Sequence, residues 1–318
     1  MNEKRRVEML AAWISKTNYL EDIMKQKDTK HKLNADLLEG DKLYMKRARL
    51  ALPILVRQAK LEETISYSAL AEEIEMPNPR NLNYVLGAIG NAIKELAKRA
   101  KVEKIPIINC LVVNKANQLP GEGITIFIDT KNFDKKTKIQ KANIIKRLNY
   151  EIYLYPNWDW VLNQLGLETI KTDYSKKLKP LILNSKGGFG GGESQQHKDF
   201  KNYLANHPTL FDLSSDLIGV TEYELPSLDK IDVRFESKLD IVGVEAKSII
   251  SDSGDILRGL FQCVKYKALI EAEQKVNDLI PSCRVVLALE GEFPKMLIGI
   301  RNQLGIEVLD KIKIDPTK

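Results

Sequence analysis

Two neighbouring segments, residues 231–235 and 241–247, constrain the fold of this chain more than any other feature. The first reads Ile-Asp-Val-Arg-Phe, and its alternation is typical of a β-strand that buries Ile231, Val233 and Phe235 on one face. The second reads Ile-Val-Gly-Val-Glu-Ala-Lys, and its nearly continuous apolar character indicates a buried strand. Their closeness along the chain favours a hairpin between them.

Charged side chains interrupt both segments. Asp232 lies opposite the apolar face of the first strand. Glu245 and Lys247 are two residues apart and therefore share one face of the second strand. If the two strands pair, two carboxylates and one ammonium group meet at one place.

These residue types are the ones that phosphodiester hydrolysis needs. Mg²⁺ is typically held by one or two carboxylates, several waters and substrate phosphate, and it lowers the pKa of a bound water. A neighbouring lysine orients that water and stabilises charge that develops on phosphorus. Taken alone, the Glu-x-Lys spacing is equally compatible with a surface hairpin that carries a cross-strand Asp–Lys pair.

A helix is predicted directly after the hairpin, over Asp252–Ala272. An apolar stripe runs along it at helical spacing, formed by Ile256, Leu257, Leu260, Phe261, Val264 and Leu269. Arg258, Gln262 and Tyr266 are each four residues apart and share a second face. We interpret this row as groups that support the site or contact phosphate, with a solvated helix surface as the alternative.

The order of Asp232, Glu245–Lys247 and then Gln262-x-x-x-Tyr266 resembles the PD-(D/E)xK nuclease superfamily, and the last element resembles its RecB-type branch. The resemblance covers about residues 190–318. It implies a restriction-endonuclease-like mixed α/β fold, with a central sheet flanked by helices, and an enzyme that cuts nucleic acid with Mg²⁺, or with Mn²⁺ as a substitute.

The resemblance also assigns roles to residues. It implies metal binding by Asp232, Glu245 and the carbonyl group of Ala246, with Lys247 beside the attacking water. The glutamine and the tyrosine of the following helix belong to the same catalytic set. Strand Arg284–Leu289 and the later helix and strand complete the expected sheet.

Many members of the superfamily carry a further glutamate on the first helix of the core. Glu193 opens a predicted helix over residues 193–206 and is the first choice for this position. Glu222 and Glu224 are competitors. For all three, an acid with no catalytic role is the alternative, and at Glu193 the helix dipole alone favours it.

Charge divides the chain into two unlike parts. Residues 1–190 carry 33 Lys and Arg against 22 Asp and Glu, and residues 191–318 carry 16 against 21. The part with the predicted metal site is therefore acidic, and the basic part can attract DNA through counterion release. Lysine-rich stretches that form solvated helix faces are the alternative.

A glycine-rich stretch, residues 186–192, marks the expected domain boundary and has the composition of a flexible linker. We therefore expect an N-terminal domain over residues 1–185 and a nuclease-like domain over residues 193–318. The stretch lacks the Gly-Lys-Ser/Thr ending of a nucleotide-binding loop.

The N-terminal part is predicted to be mostly helical. A short helix after Ser66, a turn at Met76–Arg80 and a long helix over Asn81–Lys101 give the outline of a helix-turn-helix. Strands predicted at Ile105–Val113 and Ile124–Ile128 would form the hairpin of a winged helix. A helical bundle with no role in nucleic-acid binding is the alternative.

Residues 64–123 resemble the winged-helix DNA-binding domain of alkyltransferase-like proteins. The residues that carry this resemblance are Ile65-Ser66-Tyr67-x-x-Leu70-Ala71, the long helix and Pro106–Cys110. The acceptor motif of that family is Pro-Cys-His-Arg, whereas here Cys110 is followed by Leu111. With no histidine to activate it, Cys110 is expected to be a buried structural residue and not an alkyl acceptor.

No apolar run approaches the roughly 18 residues that a membrane span requires. The three cysteines are scattered with no C-x-x-C spacing, which argues against a disulfide scaffold or a zinc site. We therefore expect a cytoplasmic protein with no membrane partner.

The sequence as a whole predicts a Mg²⁺-dependent DNA endonuclease that serves defence against foreign DNA or repair. Its basic domain would grip duplex DNA, and its C-terminal domain would hydrolyse the backbone. Two alternatives stay open: a non-catalytic DNA-binding protein with a relict nuclease fold, and a nuclease that acts on ends, single strands or RNA. Many relatives cut both strands as dimers, so a homodimer is also open.

Overall fold

The computed structural model describes residues 34–128, 133–170, 194–237, 240–279 and 282–314. Their α-helices are α1 (Leu43–Lys60), α2 (Tyr67–Glu73), α3 (Leu82–Ala100), α4 (Lys138–Tyr153), α5 (Trp158–Gln164), α6 (Gln195–Ala205), α7 (Ser253–Val276) and α8 (Ile298–Leu304). Their strands are β1 (Ile65–Ser66), β2 (Val112–Val113), β3 (Val220–Glu224), β4 (Lys230–Glu236), β5 (Ile241–Lys247), β6 (Cys283–Leu289) and β7 (Glu307–Leu309). Within these ranges, no helix is both long enough and apolar enough to cross a membrane.

The C-terminal part is built on a five-stranded mixed sheet in the order β3-β4-β5-β6-β7. The predicted hairpin is confirmed, since β4 pairs antiparallel with β5. β6 pairs in parallel with β5, with Val244 beside Val286. β7 pairs in parallel with β6, with Val286 beside Glu307. The parallel strands are joined by α7 and α8, as parallel pairing requires. The chain therefore has the mixed α/β class that the sequence predicts.

Helices pack on both faces of the sheet. On one face, α7 and α8 enclose a buried apolar cluster that includes Ile231, Leu257, Leu260, Ile270, Leu287 and Ile300. On the other face, α6 contributes to a second cluster that includes Phe200, Leu204, Val233, Phe235 and Val244. The nearly continuous apolar character of β5 follows from this arrangement, because both of its faces are buried.

A separate core holds the N-terminal part together, and its buried residues all lie between Leu38 and Leu165. α1 packs on α3 at its centre and continues as one helix through Pro53. Ser66 caps α2, as predicted, because its side chain accepts a hydrogen bond from the Ala69 amide. The long helix α3 ends at Ala100, one residue before the predicted end.

The predicted wing is wrong. Residues 124–128 lie in and after a short 3₁₀ helix, Glu122–Ile126, and form no strand. Ile124 and Ile128 are both buried while Ile126 is 71% exposed, so burial recurs every four residues and not every two. The earlier segment forms a 3₁₀ helix, Ile108–Leu111, before the short strand β2. That strand pairs in parallel with β1 instead of forming a hairpin.

Polar contacts join the N-terminal core to the sheet domain. Asn302 of α8 donates to Glu73 at 2.7 Å, and Glu73 also accepts from the guanidinium group of Arg57 at 2.9 Å. Gln58 donates to the backbone carbonyl of Asn302 at 3.1 Å. Arg57, Gln58 and Asn302 are all buried. The contact between the two parts is therefore a specific polar network.

The glycine-rich stretch, residues 186–192, and residues 1–33 lie outside the described residues.

We expect Cys110 and Cys263 to resist alkylation in the native protein while Cys283 is modified. Burial raises the pKa of Cys110 to about 12 and raises the pKa of Cys263 as well, and both thiols are closed off from solvent. Cys283 is only partly buried. Iodoacetamide labelling followed by peptide mass spectrometry tests this, with the unfolded chain as the control in which all three react. Native labelling of Cys110 at the rate of Cys283 would show that the N-terminal core is not closed as described.

Candidate functional site

The site is built where the regular pairing of β4 with β5 stops. The last paired residues in this direction are Val233 and Val244. Beyond them, the Ala246 amide donates its hydrogen bond to a side chain instead of to a backbone carbonyl of β4. The acceptor is Oδ2 of Asp232, at 2.8 Å. Asp232 is thereby fixed against β5 next to Glu245. The predicted meeting of these acids is what the structure shows.

The same feature corrects one expectation. Ile231 packs on the α7 side of the sheet, whereas Val233 and Phe235 pack on the α6 side, so the three do not share one face. The alternation is interrupted at Asp232, whose carboxylate replaces a backbone hydrogen bond. On the next strand, the residue in register with it is Glu222, which has a left-handed φ of 53°.

Lys247 lies against Glu245. Its Nζ donates to Glu245 Oε1 at 2.7 Å and to Gln262 Oε1 at 3.4 Å. Burial, and then the negative charge of Asp232, raise the pKa of Glu245 to about 8. Burial lowers the pKa of Lys247, but the Glu245 carboxylate outweighs this effect and the pKa is raised. Two acids and a lysine are therefore held together, and all three side chains are at most 16% exposed.

The electrostatics of Asp232 differ from those of Glu245. Burial raises its pKa, but His197 and the Ala246 amide outweigh burial and hold the pKa below its usual range. Asp232 is thus the acid that stays ionised, and the proximity of its charge is one reason why Glu245 holds its proton more tightly.

α7 approaches the site closely because it carries a glycine at the point of contact. A Cβ placed on Gly259 would lie 2.8 Å from a methyl group of Leu287 and 3.0 Å from Cε of Lys247. The helix is fixed in this position by a capping box, in which Asp252 accepts from the Gly254 and Asp255 amides. Gly259 therefore sets how near α7 can come to Lys247.

The Gln-x-x-x-Tyr row of α7 divides into different roles. Gln262 reaches Lys247, and its Nε2 also lies 3.4 Å from the hydroxyl group of Tyr266. The Tyr266 hydroxyl donates to the backbone carbonyl of Lys230 at 2.8 Å, and so ties α7 to β4. Arg258 pairs with Asp255 within its own helix. Gln262 thus contacts Lys247 directly, whereas Tyr266 supports the site through its contacts with Gln262 and β4.

The three candidates for the additional glutamate fall in different places. Glu193 lies outside the described residues, which resume at Ser194, the N-cap of α6. Glu222 forms an ion pair with Lys201 of α6. Glu224 is exposed at the end of β3, opposite Lys230. Of the two described candidates, only Glu222 is joined to the site.

Sequence reasoning missed two residues of α6, His197 and Lys201. His197 Nε2 lies 3.7 Å from Asp232 Oδ1, and Lys201 Nζ lies 3.8 Å from the same oxygen. Their spacing of four residues places both on one helix face. Lys201 also occupies a position in the buried stripe of the helix, with Phe200, Leu204 and Ala205. A lysine within an apolar stripe is the sequence signal that could have identified Lys201.

The residues present suit a single hard cation with few protein ligands. Across the described part of the chain, no three His, Cys, Asp or Glu side chains cluster closely enough to hold a metal ion between them. Asp232 and Glu245 supply two carboxylates, and Mg²⁺ commonly uses one or two together with water and phosphate. Burial first, and then the charge of Asp232, raise the pKa of Glu245, and a bound cation would favour its ionised form. The predicted carbonyl ligand, Ala246, lies next to Glu245 in the chain, and its amide contacts Asp232.

Comparisons with protein-family models, with curated proteins and with solved structures found no match to this chain.

Proposed function

We propose that this chain is a Mg²⁺-dependent nuclease with a restriction-endonuclease-like C-terminal domain. One observation carries the proposal: Asp232 and Glu245 meet on adjacent strands, with Lys247 Nζ 2.7 Å from Glu245. The order of strands and helices around this point agrees with the PD-(D/E)xK resemblance.

In this proposal Asp232, Glu245 and the Ala246 carbonyl hold Mg²⁺, or Mn²⁺ in its place. The ion supplies Lewis-acid polarisation of the phosphate and a more acidic water. Lys247 orients that water and stabilises the negative charge that develops on the phosphate. Gln262 holds the lysine in place from the other side. The side chains of Asp232, Glu245 and Lys247 are largely buried, so their charges act at a lower effective dielectric constant than in water.

The N-terminal part is proposed to hold duplex DNA. It carries the excess of positive charge, and α3 presents an outward face that includes Tyr84, Asn91, Lys94 and Lys98, all exposed. A polar, basic helix face next to a preceding short helix and turn is the helix-turn-helix arrangement for contact with DNA. No hairpin wing contributes to this surface within the described residues, because residues 124–128 form no strand. A homodimer would bring two such sites to the two strands.

The proposal is tested by incubating the full chain with circular duplex DNA, linear duplex DNA, single-stranded DNA and RNA. We expect cleavage of both duplexes in Mg²⁺ and none in EDTA. Cleavage of the linear duplex with the circle left intact would establish the end-directed alternative. Cleavage confined to single strands or RNA would assign the other substrate class. No cleavage of any substrate would reject a nuclease.

One observation favours the non-catalytic alternative. Among the described residues, no group of three or more His, Cys, Asp and Glu side chains could hold a metal ion. A relict nuclease domain predicts DNA binding that weakens steeply with salt, with no cleavage in Mg²⁺ or Mn²⁺. A filter-binding or anisotropy titration beside the cleavage assay separates the two proposals.

We expect Gly259→Ala to lower the cleavage rate between about tenfold and a hundredfold, because the new methyl group displaces Lys247 from Glu245. Far-ultraviolet circular dichroism should show that the helix is kept, since alanine favours helix more than glycine does. Gly123→Ala is the matched control, because a Cβ there meets nothing within 4 Å. Equal rates for the two variants would mean that the closeness of α7 is irrelevant to the chemistry.

A further inference from the structure

Lys201 is a buried lysine beside the proposed metal ligands. It lies on α6 and is only 3% exposed. Its Nζ forms an ion pair with Glu222 Oε1 and lies 3.8 Å from Asp232 Oδ1. A buried ammonium group is stable only when anionic partners surround it. Lys201 thus stands on the Asp232 side of the site, and Lys247 stands on the Glu245 side.

Glu222 contacts Lys201 from an unusual backbone conformation. It is in register with Asp232, since its two neighbours, Thr221 and Tyr223, pair with the two neighbours of Asp232. Its φ is 53°, in the left-handed region that residues other than glycine rarely adopt. Residues in such conformations cluster at functional sites, where the surrounding structure maintains them. Here the conformation accompanies a carboxylate that contacts Lys201.

The charges of the described side chains add to this picture. With the acids ionised, as they would be around a bound cation, Glu222, Asp232 and Glu245 supply three negative charges, and Lys201 and Lys247 supply two positive charges. One divalent cation then leaves these five side chains with a single positive charge, which matches one phosphodiester anion. Two divalent cations would leave them with three positive charges.

We propose that the ammonium group of Lys201 permanently fills a second cation position, so that the site binds one divalent cation and not two. Two-metal sites place their ions about 3.5–4 Å apart, on either side of shared oxygen ligands. Lys201 Nζ lies within ion-pair distance of Asp232 Oδ1, at 3.8 Å, and it pairs with Glu222, the acid that would complete a second ion site. Lys201 is a positioning residue here, because its burial keeps it from the substrate. This inference rests on the proposed function.

The test counts ions directly and does not need cleavage. Mn²⁺ binding to the full chain is measured by electron paramagnetic resonance of free and bound ion, together with calorimetry. We expect one Mn²⁺ per wild-type chain, with no exchange-coupled pair, and none at this site in Asp232→Asn. Two ions per chain that both depend on Asp232 would overturn the inference and leave the nuclease proposal standing. The absence of any bound ion would reject the metal site itself.

Variants at Lys201 test the assignment of the second position. Lys201→Met removes the charge at similar length, and we expect a second, weaker Mn²⁺ to bind. Lys201→Met combined with Glu222→Gln removes the acid as well and should return the count to one. Lys201→Arg keeps the charge and should also bind one. Lys198→Met, on the exposed face of α6, is the control and should not change the count. A folded Lys201→Met protein that still binds one ion would overturn the inference, and the wild-type count decides it if that variant does not fold.

Discussion

Asp232→Asn and Lys247→Met are each expected to lower Mg²⁺-dependent cleavage by roughly 1000-fold, with little change in the fold. The asparagine oxygen can still accept the Ala246 amide, so the connection between β4 and β5 is kept while the negative charge is lost. Methionine fills the volume of the Lys247 stem but removes the ammonium group next to Glu245. Cleavage rates under single-turnover conditions measure both effects.

The matched controls are Asp229→Asn and Lys265→Met. Asp229 and Lys265 also form an acid–lysine pair, with Nζ and Oδ1 2.6 Å apart, and Lys265 is exposed. Exposed pairs of this kind contribute little to stability because solvent screens them, so both controls should fold and cut as the wild type does. If cleavage by the Asp232 and Lys247 variants matched that of the controls, the chemistry would have to lie elsewhere in the chain.

Glu73→Ala is expected to lower the free energy of unfolding by about 3 kcal/mol. Glu73 accepts hydrogen bonds from Arg57 in the N-terminal core and from Asn302 in the sheet domain. Without Glu73, the charged side chain of Arg57 loses its acidic partner, and Arg57 is only 2% exposed. A buried charge that loses its partner is strongly destabilising because it cannot regain its hydration. Urea unfolding followed by circular dichroism measures the change.

The neighbouring residue provides the control. Glu72 also joins the two parts, through Arg301 at 2.8 Å, but its side chain is 45% exposed. Solvent screens that pair, so Glu72→Ala should cost less than about 1 kcal/mol. Equal effects of the two substitutions would show that the polar network at Asn302 is not the element that holds the parts together.

The C-terminal site could be predicted because its determinants are local. Alternation in β4 and continuous apolar character in β5 identify two strands, and their closeness along the chain makes a hairpin the simplest pairing. Once that pairing is assumed, the side chains of Asp232, Glu245 and Lys247 are expected to lie close together. Gln262 follows from helical spacing in the same way.

The contribution of α6 could not be predicted with the same means. His197 and Lys201 lie more than thirty residues before Asp232, and their proximity depends on how the helix crosses the sheet. The interruption of alternation at Asp232 is also hidden in the sequence, because a side chain there replaces a backbone hydrogen bond. Ile231 and Val233 therefore face opposite cores although their spacing indicates one.

The failed wing has a related cause. Ile124, Ile126 and Ile128 alternate with other residues, which favours a strand when only the local pattern is considered. In the structure, Phe127 packs its ring where Gly90 of α3 leaves room, and the segment coils to allow it. The conformation of a short segment depends on the residues against which it packs, and here those residues are distant in sequence.

The central claim is that Asp232 and Glu245 together hold one divalent cation. Crystals of the full chain grown with Mn²⁺, with diffraction data collected at the manganese absorption edge, test it most directly. We expect one anomalous peak that contacts carboxylate oxygens of both residues, at about 2.0–2.2 Å, near Lys247. A peak bound to other residues only, or none with Mn²⁺ in excess, would contradict it.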